Sequence, residues 1–292
     1  MKGSPPAVTI VVPTRNRPAD LQRCLAALAG QSELESFEIL VVDDGSDDPE
    51  AIRNVVAAHT GVRLVRQNGT GPAIARNAGV RAARGGVVCF TDDDCRPEPE
   101  WAARLQRALG AGADAAGGKT VSGRPGDPFA GATEVIIEHL RWSDGDADRI
   151  AFAPSNNLAS SRSLLLRLPF DESYPRASGE DRDWCARLLR DNGSIVVVPE
   201  AVVHHLPSTG VVAFWRQHVR YGRGAYRLAR RGEAAPGLQP LSFYARLLRG
   251  GFSRSFRCGV LVGVAQLATA TGFVNEAWGL RRRRSEQRIE KA

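Results

Sequence analysis

A continuous β-branched run, Ala7 to Pro13 (AVTIVVP), and a second largely apolar run, Phe37 to Val42, flank a segment, Ala19 to Ala29, in which Leu21, Leu25 and Leu28 recur at helical spacing. Runs that are mostly apolar and β-branched, without strict alternation, suit strands covered on both faces. A strand, a helix and a second strand in that order form a βαβ unit with parallel strands, which restricts the chain to the α/β class.

Polar turns end these strands: Thr14-Arg15-Asn16-Arg17-Pro18 after the first and Asp43-Asp44-Gly45-Ser46 after the second. Open parallel sheets bind ligands outside the carboxyl ends of their strands, so Thr14, Arg15, Asp43 and Asp44 are expected around one crevice. A helix over Pro49 to Ala58 and a strand over Val62 to Val65 follow, and Gly69-Thr70-Gly71-Pro72 then opens a helix carrying Arg76 and Asn77. A glycine-rich turn at a helix start can cradle a phosphate. The next apolar run, Gly86 to Phe90, stops at Thr91 and delivers Asp92, Asp93 and Asp94 together. Adjacent carboxylates repel one another unless a cation or water accommodates them. Asp92 and Asp94, two apart, lean to one side of an extended backbone, an arrangement that suits Mg²⁺ or Mn²⁺. Such ions are held by one or two carboxylates together with substrate phosphates, which points to a nucleotide or sugar phosphate.

The chain of 292 residues is long enough for one large domain with an appendage. Its five cysteines are scattered without a CxxC pair, which reads as a reduced, cytosolic setting. The first apolar run is too short for a secretory leader, so no signal peptide is expected. The net charge of +7 suits phosphates or an anionic surface. Basic residues concentrate after Arg216, and the amino-terminal part lacks the aromatic-interleaved basic pattern of nucleic-acid binding.

With VVPTRNRP, EILVVDDGSDD, GPAIARNAGV and FTDDDCRPEP in that order, the first hundred residues resemble an inverting family 2 glycosyltransferase of the GT-A fold. The resemblance implies a Rossmann-like, mostly parallel sheet with flanking helices and a nucleotide-sugar donor, UDP-sugar by family habit. It implies that Pro13 and Thr14 border the base beside Arg15, that Asp44 with Asp43 bonds the base edge, and that Arg76 approaches the diphosphate. Asp92 and Asp93 would lie near the ribose and metal, with Asp94 the principal metal ligand. The family's Asp-x-Asp motif has a variable middle residue, which is acidic here.

The order Pro154-Ser155-Asn156-Asn157-Leu158, Phe170-Asp171-Glu172 and Gly179-Glu180-Asp181 also resembles the family. Direct displacement needs a base to take the acceptor hydroxyl's proton. The resemblance gives that role to Asp181, with Glu180 as its neighbour or an acceptor contact, and single displacement implies inversion. Of the vicinal His204 and His205 only one can face the crevice; the resemblance favours His205 beside the metal or diphosphate. Gln217, Arg220 and Tyr221 are similar to the QxxRW motif of polymer-forming members, with Tyr in place of Trp. An aromatic beside an arginine suits a sugar and a phosphate, so these three join Asn157 as expected acceptor or diphosphate contacts. The tyrosine, and the lack of several membrane spans, argue against processive synthesis.

Elsewhere the sequence predicts a helix over Trp101 to Leu109, an edge strand over Ala113 to Val121 and a linker over Ser122 to Gly131. A helix over Glu134 to Trp142, an acceptor-side loop over Ser143 to Arg149 and a strand over Ile195 to Val198 follow. Residues 1–231 read as the catalytic domain, with a donor half over about 7–121 and an acceptor half over 122–231. Residues 232–292 read as a helical extension. From Leu241, apolar residues alternate with Arg246, Arg249, Arg254 and Arg257 in an interfacial pattern. Cys258 to Asn275 carries no charge, and Arg281 to Arg284 follow. We expect a peripheral or re-entrant contact with an anionic membrane at its cytoplasmic face, and a glycan, lipid-linked or small-molecule acceptor. A sugar-phosphate nucleotidyltransferase would place a glycine-rich, lysine-bearing signature where Pro13-Thr14-Arg15 stands. A receiver-like signalling module would leave Asp92 to Asp94 and Glu180-Asp181 without a role.

Overall fold

The computed structural model describes residues 5–141, 150–174, 178–207, 210–231 and 239–289. The expected acceptor-side loop at 143–149, the end of the predicted helix at Trp142, the linker residues 232–238 and the side chains of Arg281 to Arg284 lie outside the described residues. Two compact units are present, one of residues 1–125 and 140–207, the other of 126–139 and 208–292.

In the first unit the chain runs β1 (Val8–Thr14), α1 (Pro18–Leu28), β2 (Phe37–Asp43), α2 (Pro49–Ala57), β3 (Val62–Arg66), α3 (Pro72–Ala82), β4 (Val87–Phe90), β5 (Cys95–Pro97), α4 (Trp101–Gly110) and β6 (Ala115–Ser122). After α5 (Pro128–Arg141) come β7 (Leu158–Ser161), α6 (Arg162–Arg167), α7 (Glu180–Arg190) and β8 (Ile195–His205). Eight strands form one sheet in the order β3-β2-β1-β4-β7-β6-β8-β5. The β1/β2, β1/β4, β2/β3 and β6/β8 pairs are parallel; β4/β7, β6/β7 and β5/β8 are antiparallel.

The apolar runs are explained by two cores, one on each face. Val11, Leu40, Val42 and Phe90 enter one, while Ile10, Val12, Val41 and Cys89 enter the other. Helix α3 lies so close to β1 that a Cβ on Gly79 would collide with the Val11 side chain. That approach carries Arg76, one turn earlier, to the carboxyl edge of the sheet.

Three predicted elements differ. β6 is interior, between β7 and β8, and not an edge strand, because both its partners come from later in the sequence. Helix α5 begins at Pro128, inside the expected linker: proline suits a first turn, and Asp127 Oδ1 accepts from Phe129 N at 2.9 Å. β8 continues past Val198 to His205 through an irregularity. Gly118 pairs with Val198 and Lys119 with Val202, so Pro199, Glu200 and Ala201 have no counterpart in β6.

The second unit contains the greater part of α5, with α8 (Val211–Arg230), α9 (Leu241–Arg254) and α10 (Phe256–Ile289). Helices α8 and α10 touch backbone to backbone: a Cβ on Gly222 would strike the Thr269 carbonyl, and one on Gly272 the Val219 carbonyl. Arg227 Nε donates to Glu276 at 2.9 Å, and the Tyr226 and Phe273 rings meet edge to face at 5.0 Å.

Candidate active site

The parallel pairing of β1 with β4, Val11 opposite Phe90, brings the residues after both strands to one sheet edge. There the buried Thr14 hydroxyl donates to Asp93 Oδ2 at 2.8 Å. A single nitrogen of Arg17, Nη1, donates to Asp93 Oδ1 and to Asp94 Oδ2, each at 2.9 Å. The chain turns at this point, with Cys95 N donating to the Asp92 carbonyl at 3.1 Å. The extended backbone that would pair Asp92 with Asp94 is therefore absent. Asp93 and Asp94 share a guanidinium, and Asp92 is bonded at 2.9 Å by Arg76 Nη2.

His205 reaches the cluster from β8. The β5/β8 ladder sets His205 opposite Cys95, and its Nε2 lies 3.4 Å from Asp94 Oδ1. His204 turns away to Glu98 at 3.1 Å, as strand alternation requires. Ligand atoms of Asp94, Cys95 and His205 all lie within 4.8 Å of one another. Burial holds the Cys95 thiol well above its ordinary range and so protonated. That leaves Asp94 and His205 as the protein's donors for a hard divalent ion, with further positions for phosphate oxygens and water; the set fits Mn²⁺ or Mg²⁺. Asp92 is not part of this group. Burial favours the neutral forms of Asp94 and His205, but their mutual interaction, aided by Arg17 at Asp94, prevails. It holds Asp94 below the usual carboxylate range and raises His205. Asp93 has the opposite fate: burial pushes it up to about 7 despite Arg17.

Arg76, 4% exposed, joins this edge to α7: its Nη1 donates to Glu180 Oε1 at 3.0 Å. Asn77, the next residue, exchanges two hydrogen bonds with the backbone of Phe170 at 2.8 and 3.0 Å, fixing the turn ahead of α7. Glu180 is buried, and its second oxygen accepts from Ser178 N at 2.8 Å. Burial, then the neighbouring Asp181 charge, push it up to about 7 against Arg76. Asp181 is half-buried; its carboxylate accepts from Ser155 N at 3.2 Å and Arg182 N at 2.8 Å, and burial raises it as well.

The residues expected around the base occupy the ends of β1 and β2. Asp43 Oδ1 accepts from Ser46 N at 2.9 Å, and its Oδ2 faces Arg66 at 3.4 Å. Asp44 accepts from Gln67 Nε2 at 2.7 Å, Thr70 N at 2.8 Å and Gly71 N at 2.9 Å. The Thr70 and Gly71 amides are thus spent on Asp44, which corrects the reading of that turn as a phosphate cradle. Pro13 is half-buried and Arg15 exposed, its guanidinium beside Gly69.

Asn157 is also corrected. It is fully buried, its Oδ1 accepts from Trp101 Nε1 at 2.8 Å, and its Nδ2 donates to the Ala201 carbonyl at 3.1 Å. It secures the unmatched segment of β8 from within the core and has no free face for an acceptor. Gln217, Arg220 and Tyr221 lie on α8 in the second unit, where Gln217 Nε2 donates to the Tyr221 hydroxyl at 2.7 Å.

Sequence reasoning passed over Arg17. A readable signal was present: it stands at the N-cap of α1, where the helix dipole disfavours a cation.

Residues 9–166 match the family described as Glycosyl transferase family 2. The chain is 26% identical over 234 residues to glycosyltransferase AglE of Haloferax volcanii, covering 77% of this chain and 74% of that one. It is 29% identical over 233 residues to the pre-mycofactocin glycosyltransferase of Mycobacterium tuberculosis, covering 76% of this chain and 47%, about half, of that relative. To an N-acetylglucosaminyltransferase of Sinorhizobium fredii it is 28% identical over 293 residues, covering 92% and 70%. A mixed sheet with flanking helices is consistent with the GT-A fold, and the chain belongs to glycosyl transferase family 2 as a glycosyltransferase.

Proposed function

We propose that this glycosyltransferase moves a sugar from a nucleoside diphosphate donor, UDP-sugar in our reading, to a glycan or lipid-linked acceptor with inversion, and that it depends on Mn²⁺ or Mg²⁺. The observation that carries the reading is Arg76, which binds Asp92 and Glu180 at once and so ties the acidic turn after β4 to the start of α7. Asp94 and His205 hold the cation, whose contribution when bound is to neutralise the diphosphate. Pro13, Thr14, Arg15, Asp43 and Asp44 border the base, while Asp92, Asp93 and Arg76 line the ribose and diphosphate.

Asp181 accepts the acceptor hydroxyl's proton as that oxygen attacks the anomeric carbon. The bond from that carbon to the diphosphate oxygen breaks on the opposite face, and the electron pair leaves with the diphosphate. Two backbone amides orient the Asp181 carboxylate without neutralising it, and burial raises its proton affinity; both favour a base. Glu180, buried and held by Arg76 and Ser178, positions the turn. Asp94→Ala should abolish metal-dependent donor binding, whereas Asp181→Asn should retain donor binding and lower turnover by about 10²–10⁴-fold. An undiminished transfer rate in Asp181→Asn removes the base assignment.

We also propose peripheral attachment at the cytoplasmic face of the membrane. Exposed Phe256, Val260, Leu267, Val274 and Trp278 recur at helical spacing along α10, and Phe252 of α9 adjoins Phe256 at 5.9 Å. Helix α10 is long and apolar enough to span over Phe256–Gly279, but the arginines of α9 favour a surface position. Co-sedimentation with anionic but not neutral vesicles is expected. Sedimentation with neither, or alkali-resistant insertion, removes this reading.

A further inference from the structure

Asp93 and Asp94 are adjacent carboxylates whose side chains are only 5% and 10% exposed, and each of their four oxygens has a partner. Thr14 and Arg17 take those of Asp93; Arg17 and His205 take those of Asp94. Arg17 does not grip one carboxylate with two nitrogens, the usual fork geometry. One nitrogen sits between two carboxylates at 2.9 Å from each, in the manner of an ion. The rest of the side chain has a second attachment. Arg17 Nε donates to Asp20 Oδ2 at 3.2 Å, Asp20 lies in the first turn of α1 with its side chain 28% exposed and its other oxygen on Arg23, and the Arg17 side chain is 33% exposed. The guanidinium can thus leave the inner pair without leaving its outer partner, and a positive charge at this helix start gains nothing else from staying.

We propose that Arg17 is the resident counter-cation of the donor-free enzyme: it occupies the inner carboxylates until the site is loaded, then swings out onto Asp20. A buried pair of like charges is costly without compensation, and an arginine supplied by the chain keeps the acidic turn folded between turnovers. Arg17 is therefore a competitor of the divalent ion for Asp94, and Asp20 is the residue that weakens the competition. The inference rests on the metal-dependent reading above.

The test is titration of the full-length, donor-free protein with Mn²⁺, following free ion by electron paramagnetic resonance, with parallel titrations in the presence of UDP. Without UDP, Arg17→Gln should bind Mn²⁺ about tenfold more tightly than the wild type, equivalent to ~1.4 kcal/mol. Asp20→Asn should act in the opposite sense and weaken Mn²⁺ binding, because it removes the outer partner's charge. Equal or weaker binding by Arg17→Gln overturns the proposal, as does equal or tighter binding by Asp20→Asn. If Arg17→Gln does not fold, the sign of the Asp20→Asn effect decides alone. Binding by the wild type with variants unchanged defeats only this inference, whereas no binding by any variant, even with UDP, defeats the metal reading along with it.

Discussion

The carboxyl edge of the sheet and the α8/α10 pair handle close contact by opposite means. At the sheet edge, acids are crowded together and each of these is matched: Asp92, partly exposed, and the buried Glu180 by Arg76, Asp93 and Asp94 by Arg17, Asp94 again by His205. Between α8 and α10 the contact is made by Gly222 and Gly272, which let one backbone lie on the other, with the Arg227–Glu276 pair beside them. Buried ion pairs contribute little net stability, because desolvation offsets their attraction, whereas intimate apolar contact is directly stabilising. The comparison teaches that the sheet edge is held for its chemistry and α8/α10 for its packing, so damage to each should read out differently.

The largest effect is expected from Arg76→Met. It leaves buried Glu180 without its counter-charge and should lower unfolding free energy by about 3–5 kcal/mol, with sugar transfer lost as well. A urea midpoint close to the wild type would show that these acids are solvated and would dissolve the contrast. Gly222→Val comes next. Overpacking at the helix crossing should cost about 1–3 kcal/mol in thermal or chemical unfolding, while UDP binding by the folded protein is unchanged. Altered UDP affinity in that variant would show that the two regions do not fail independently.

The smallest effect is on pH dependence. Asp181 must be ionised to accept a proton, and its proton affinity is raised, so activity should rise with pH through a limb lying above the ordinary carboxylate range. Glu180→Gln weakens the hold on Arg76, whose charge already favours ionised Asp181, and should move that limb to lower pH. Movement to higher pH, or none, in a profile of kcat/KM would sharpen the account by assigning the limb to another group.

Much of this architecture is legible in the chain because strands covered on both faces are dominated by apolar, β-branched residues; β1, β2 and β4 are of this kind, the exceptions within β1 and β2 being Thr9 and Glu38, which bond each other at 2.8 Å, and the terminal Thr14 and Asp43. β6 is not, since AAGGKTVS carries small residues and its neighbours are fixed by strands not yet read. In the site, alternation allows only one of His204 and His205 to face the acids, and His205 lies beside Asp94 while His204 lies on Glu98. The pairing of Arg76 with Glu180 joins positions far apart in sequence, and no local pattern announces it. Asn157 was misread for a related reason: a polar residue at a strand end looks available until Trp101, from another element, is found on its amide. Asp92 and Asp94 were misjudged because alternation holds only in extended backbone, and the chain turns there.

The three residues of β8 without a counterpart in β6 have a consequence for the cation site. Side chains alternate in direction along a strand, so an odd number of extra residues reverses the parity of everything that follows. Pro199, Glu200 and Ala201 are such an odd insertion, and Asn157 clamps its last carbonyl. Deleting one of them should exchange the roles of the two histidines, presenting His204 to Asp94 and sending His205 toward Glu98. Mn²⁺ affinity would then report a counting error in a strand in which both histidines are still present.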